Sequence, residues 1–302
     1  MHQRPTKAVI AAAGFGTRFL PQTKAIPKEM LPLIDKPIIQ HVVEELVAAG
    51  IKDIIIVTGQ NKRSIEDHFD YPTQDLVANL KLAGPKKQPL LDEVESIAEI
   101  ANFIYVRQKG PYGTGTPLLC VEHLIGDEPF IYTWSDDFIV SDPPRFQEIC
   151  DVYSEYGASV LCTIRATSDD DYARYGFAGG NELREGLLDV NALIEKPGSR
   201  EASPSDRATV SGFLLTPDIF AYLHRAQQQL VEGNELHYND ALKLMLADDK
   251  RILAREIPGA RYYDAGNKLE YLKTVVDFAM QREDIGAAFT AYLRETVGKL
   301  KN

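Results

Sequence analysis

Cysteine, tryptophan and methionine are scarce: three, one and four among 302 residues. Cys120, Cys150 and Cys162 are odd in number and show no C-x-x-C spacing. That argues against a disulfide framework or a cysteine zinc site and fits a reducing, cytoplasmic setting. Basic charge is also in deficit, with 33 Lys+Arg against 44 Asp+Glu and a formal net charge of −11. Binding a nucleic-acid backbone needs the opposite balance, so no nucleic-acid partner is expected. A small phosphorylated ligand stays open, because it responds to local charge rather than to the sum. No apolar run approaches the ~18–20 residues of a membrane span, and the run from Ala8 to Ala13 is too short for a signal-peptide core. A soluble protein with no membrane partner is expected. The P-loop pattern G-x-x-x-x-G-K-[ST] is missing from the whole chain.

What is present alternates. Apolar runs at 7–13, 53–58, 102–107, 129–135, 160–165, 191–195, 208–215 and 251–257 read as strands, several of them buried on both faces. Amphipathic stretches at 38–49, 61–69, 116–124, 145–157, 217–231, 238–248 and 268–281 read as helices. The pattern predicts an α/β fold: a Rossmann-like, three-layer, mostly parallel mixed sheet with helices on both faces. A single domain over 1–302 is expected. It divides into a regular α/β half to about 140, a second half over about 141–267 with loops and hairpins between 166 and 210, and C-terminal helices over about 268–302. In such sheets ligands sit beyond the carboxyl ends of the strands.

The first strand runs into Ala11-Ala12-Ala13-Gly14-Phe15-Gly16-Thr17-Arg18. Prolines at 21, 27, 32 and 37 keep the next helix from starting before about Pro37. A loop that long in a compact domain is more often functional than not. Arg18, Lys24, Lys28 and Lys36 make it locally positive against Glu29 and Asp35. Small residues let the backbone approach a polyphosphate, and Arg and Lys offer fixed positive charge. A dinucleotide fingerprint would want glycine where Phe19 stands. The six histidines show no ligand spacing.

The segment AAGFGTRFLPQTKAIPKEMLPLIDKPIIQ resembles the signature of the sugar-1-phosphate nucleotidylyltransferases. IIIVTGQNKRSIEDHFD, ARYGF, LIEKP, SGFLLTPDIF and YYDAGNKLEY continue the match in order along nearly the whole chain. Within that family the chain looks most like the bacterial-type UTP–glucose-1-phosphate uridylyltransferases. The resemblance implies Mg²⁺-assisted attack of glucose 1-phosphate on the α-phosphorus of UTP, giving UDP-glucose and pyrophosphate. It implies Arg18 and Lys28 in catalysis. Nucleotide contacts are implied at Ala12, Ala13, Gly14, Gly16, Thr17, Gln108 and Gly113, with Arg18 and Lys28 again. Sugar-phosphate contacts are implied at Asp136, Gly176, Glu195, Lys196 and Gly212, and metal ligation at Asp136 and Asp264. Asp137 is adjacent, but strand alignment favours Asp136. A homodimer or homotetramer is expected, with the C-terminal helices as the contact. The chain departs from the family at Thr114, at Thr116-Pro117, expected as N-cap and first turn of a helix, at Trp134-Ser135 and at His237. The alternatives are the same chemistry with dTTP or another triphosphate, or a catalytically weak regulatory homologue.

Overall fold

The computed structural model describes residues 1–299. The first part of the chain holds β1 (Lys7–Ala12), the short ribbon β2 (Pro32–Leu33) and β3 (Lys36–Pro37), α1 (Ile38–Ala48), β4 (Asp53–Thr58) and α2 (Arg63–His68). It continues through α3 (Gln74–Leu82), α4 (Gln88–Ile97), β5 (Asn102–Arg107), α5 (Thr116–Ile125), β6 (Phe130–Trp134) and β7 (Asp137–Val140). Then come α6 (Arg145–Tyr156), β8 (Ser159–Arg165), α7 (Asp171–Arg174), β9 (Gly176–Arg184), β10 (Leu187–Glu195), β11 (Arg207–Thr209) and β12 (Phe213–Leu215). The chain closes with α8 (Ile219–Gln228), α9 (Tyr238–Ala247), β13 (Ile252–Glu256), β14 (Arg261–Asp264), α10 (Lys268–Gln281) and α11 (Gly286–Lys299).

Ten strands form one mixed sheet in the order β11-β9-β10-β13-β8-β12-β6-β1-β4-β5. The pairings β6–β1, β1–β4 and β4–β5 are parallel, as is β8–β13. The remaining pairings are antiparallel, so the parallel character expected for the sheet is confined to those stretches. The reason is local. Residues 176–195 fold back as a two-strand hairpin, and hairpins can pair only antiparallel. β11 bonds both β9 and β8, which curls that end of the sheet into a closed ring of β8, β13, β10, β9 and β11, a partial barrel.

Alternation along β1 explains how both of its faces are filled. Ala8 and Ile10 pack with Val42, Val43 and Leu46 of α1. Val9 turns the other way, into the buried cluster that includes Leu118 and Val121 of α5 and Leu223 of α8. The single strand expected over 208–215 is two, broken at Val210–Gly212 where Gly212 takes φ +97°. Helices α3 and α4 lie in a stretch where no element is expected; in α3 the large residues Leu76 and Leu82 are exposed and only Leu80 is buried, whereas α4 buries Leu91 and is clearly amphipathic. A second ribbon, β7 with β14, leaves the main sheet and pairs Asp264 with Asp137 in register.

Candidate active site

The loop after β1 is tightly organised despite lacking a long helix. Three 3-10 turns follow one another: Thr17–Phe19, Gln22–Lys24 and Lys28–Met30. Gly16 sits at φ +65°, and its carbonyl accepts from Phe19 N at 3.0 Å and Thr23 Oγ1 at 2.7 Å. A Cβ there would lie 3.1–3.2 Å from Thr23 and Lys28, so glycine suits both the conformation and the space. Glu29 is fully buried and accepts from Lys62 Nζ at 2.7 and 2.9 Å. Burial pushes Glu29 up and Lys62 down, each opposed by the other's charge. The sequence suggests Glu29 as one more loop charge; it is an anchor, and it seats its neighbour Lys28 at the mouth of the sheet.

Two contiguous cavities lie beyond the carboxyl ends of β1 and β6. The first, of about 590 Å³, is lined by Ala11, Ala13, Gly14, Arg18, Lys28, Gln108, Gly113, Asp136 and Asp264 among others. The second, of about 470 Å³, includes Gly176, Glu195, Lys196, Ser211, His237 and Asn239. Thr114, Trp134, Asp137, Tyr175 and Tyr262 line both. Most of the expected residues are thus gathered in one cleft. Four are placed otherwise. Gly16 lines neither cavity and packs against Thr23 and Lys28 within the loop. The Ala12 side chain is buried on the α1 face of the sheet. Thr17 is exposed at the start of its 3-10 turn, outside the lining of either cavity. Gly212 faces Phe146 and Arg145, where a Cβ would lie 3.0 and 3.4 Å away, so its glycine serves packing and a positive φ.

Asp136 and Asp264 converge. A Cβ on Gly266 would stand 2.8 Å from Asp136 Oδ2 and 3.1 Å from Asp264 Oδ1. Glycine at 266 therefore leaves the space that both carboxylates face. Lys28 Nζ donates to Asp136 Oδ2 at 2.5 Å, and Arg174 Nη2 donates to Asp264 Oδ2 at 2.9 Å. Arg18 Nη1 reaches the Gly266 carbonyl at 3.4 Å across 248 residues of sequence. Asp137 is set apart from Asp136. Its side chain is buried, accepting from Tyr262 Oη at 2.8 Å and from Ser211 Oγ, and burial raises it to about 6. Arg145, wholly buried, donates to the Ser211 carbonyl at 2.9 Å and the Asp137 carbonyl at 3.4 Å, and pairs with Glu45 at 2.8 Å.

The sheet register builds the second cavity. Gly176 lies opposite Glu195 on one side and Thr209 on the other. A Cβ at 176 would fall 2.8 Å from both Glu195 Oε2 and Thr209 Oγ1. Asn239 Nδ2 donates to Glu195 Oε2 at 2.9 Å. Lys196 adopts φ +46°, a left-handed conformation that costs a non-glycine residue on the order of 1–2 kcal/mol. Its amide donates to the Tyr175 carbonyl at 3.1 Å, which holds that turn. The Thr114 and His237 side chains meet at 3.4 Å, and Gly113, at φ +120°, lies so close to Leu236 that a Cβ would overlap its backbone. Thr116 does not cap α5; Gly115 takes that place, and the Thr116 hydroxyl donates to Pro111 O at 2.6 Å. Arg174, Asn239 and Tyr262 are unforeseen in the sequence; only tertiary pairing brings them here.

A cleft at strand ends that sets paired carboxylates among Arg and Lys is the arrangement of an enzyme handling anionic phosphates. The chain belongs to the nucleotidyl transferase family, whose model matches residues 7–281. Among individual relatives, UTP–glucose-1-phosphate uridylyltransferase YngB of Bacillus subtilis (strain 168) is 42% identical over 297 residues, 98% of this chain and 97% of that protein. A solved UDP-glucose pyrophosphorylase complexed with UDP-glucose is 36% identical, with TM-score 0.80 over 92% of this chain and 99% of that one. The UTP-bound UGPase of Acinetobacter baumannii is 31% identical, with TM-score 0.86 over 96% and 99%.

Proposed function

We propose that the chain is an enzyme transferring the uridylyl group of UTP to glucose 1-phosphate, releasing pyrophosphate and forming UDP-glucose. The observation that carries this reading is the joined pair of cavities, the first with phosphate-seeking cations and two facing carboxylates, the second with Glu195 and Lys196. Near-full-length similarity to a curated uridylyltransferase supports the choice of substrates. Both reactants are anionic, so catalysis is positioning and charge neutralisation. Arg18 and Lys28 hold the triphosphate, Ala13, Gly14, Gln108 and Gly113 offer backbone and amide groups to the nucleotide, and Gly16 shapes the phosphate loop. Ala12 and Thr17 contribute through backbone alone, and Gly212 by setting the backbone beside Ser211. Gly176, Glu195 and Lys196 take the sugar phosphate, the carboxylate accepting sugar hydroxyls and the ammonium facing phosphate.

Two carboxylates around Gly266 fit the protein share of a Mg²⁺ site, whose other ligands are phosphate oxygens and water. Asp136 and Asp264 would hold the ion, and bound Mg²⁺ would neutralise the triphosphate and the charge developing on its leaving group. We read the chain as one domain with the halves set out above, the parallel half being the Rossmann-like, three-layer part. Among the described residues no helix is long and apolar enough to cross a membrane, and we place the enzyme in the cytoplasm.

The test is pyrophosphate release from UTP, dTTP, CTP, ATP and GTP with glucose 1-phosphate, each with Mg²⁺ and with excess chelator. UTP should be fastest and chelator should abolish turnover. Equal or faster turnover with dTTP would overturn the uridylyl assignment, and an undiminished rate in chelator would overturn the metal.

A further inference from the structure

Each carboxylate of the facing pair has its own counter-cation. Lys28 comes from the loop after β1 and Arg174 from the end of α7, and the four formal charges of Lys28, Asp136, Asp264 and Arg174 sum to zero. Neither pair is deeply buried. Side-chain exposure is 34% for Arg174 and 22% for Asp264, so the arginine can leave without opening the core. While it pairs with Asp264, its guanidinium carbon also lies 5.1 Å from the centre of the Tyr175 ring. Arg174 lines both the sugar-side cavity and a further cavity of about 580 Å³ beyond Tyr175 and Tyr262, which gives the side chain room to move. Arg145, locked between Glu45, Ser211 and Asp137, has no such freedom.

A divalent cation approaching this pair alone adds positive charge beside two cations already neutralising the carboxylates. Like charges a few ångströms apart oppose binding even where solvent screens them. A polyphosphate changes that balance. Its oxygens offer both cations new acceptors, and a guanidinium suits such oxygens well.

We propose that Arg174 is a positioning residue that occupies Asp264 in the chain alone, so that a divalent cation binds tightly only together with a polyphosphate. The inference rests on the reading of Asp136 and Asp264 as the metal pair. The experiment measures Mn²⁺ binding to the nucleotide-free full-length protein, following free Mn²⁺ by electron paramagnetic resonance. Wild type is compared with Arg174→Gln, Arg174→Lys and Asp264→Asn, each checked for an unchanged melting transition. Arg174→Gln should bind Mn²⁺ at least about tenfold more tightly, the minimum expected on removing a like charge at this range. Arg174→Lys, which keeps the charge, should stay close to wild type. Equal or weaker binding by Arg174→Gln, or no binding by any variant, overturns the proposal. If Asp264→Asn binds as well as wild type, the metal pair is misplaced and the proposal falls with it. Failure to form UDP-glucose would overturn the functional reading without moving these affinities.

Discussion

Asp136 and Asp137 are neighbours in sequence with opposite situations in space. Asp136 lines the first cavity and pairs with Lys28, whereas Asp137, which lines both cavities, has its carboxylate held by Ser211 and Tyr262 and its carbonyl by Arg145. Replacing Asp136 or Asp264 with Asn should lower kcat by about a hundredfold or more, the scale of removing a charge aimed at the transition state. Circular dichroism and melting should stay near wild type, and full activity in both variants would show that the carboxylates are not needed. Trp134 offers an independent check. It is the sole tryptophan, it lines both cavities, and Tyr132, Phe213 and Tyr238 pack edge-on against it. Tryptophan fluorescence should therefore change on adding UTP, and on adding glucose 1-phosphate, and an invariant spectrum with saturating ligand would place both substrates elsewhere. Asp136, Lys28 and Glu195 are legible because each follows a recognisable strand or lies in a motif. Arg174 and Asn239 are not, because their partners Asp264 and Glu195 lie 90 and 44 residues away and nothing local marks the pairing.

At the scale of elements, α1 carries a titratable group into the core. His41 stacks on Phe138 and meets Phe278 edge-on, and its Nε2 is buried without a partner. Burial, with Lys36 nearby, lowers it from 6.5 to about 4. A depressed folded value means stability is present above pH 6.5 and is lost as the pH falls from 6.5 toward 4. His41→Phe keeps the stacking and removes the titration. The wild type should lose on the order of 2 kcal/mol relative to His41→Phe across that window, read from denaturant melts, whereas a constant difference would mean that His41 is not buried neutral. A second element-scale prediction concerns the joint between α2 and the loop after β1. Lys62→Met leaves Glu29 buried without its cation, which should cost about 3–5 kcal/mol and disturb Lys28 next to it. The strands β1, β4 and β6 are legible from continuous apolar runs. The ring of β8 to β11 is less so, since β9 begins with glycines and half of its length is exposed.

Over the whole molecule, the last two helices join the C-terminal end to the site. Asn267 caps α10, its Oδ1 accepting from Leu269 N at 2.9 Å, just after Asp264 and Gly266. Tyr271 donates to the Pro32 carbonyl and Arg282 pairs with Asp35, so α10 braces the loop that carries Lys28. The same helices leave Leu269, Leu272, Met280, Tyr292 and Val297 exposed. Exposed apolar side chains such as these are candidates for association between copies. A homodimer or homotetramer formed through α10 and α11 is the prediction to be tested. Light scattering coupled to size exclusion should give a multiple of 33.7 kDa. Tyr292→Lys with Val297→Lys should shift the mass to a single chain, while raising salt should strengthen the wild-type assembly by screening like charge. A wild-type mass of one chain at all concentrations would overturn the assignment. A multiple that survives both lysines would move the contact to another face.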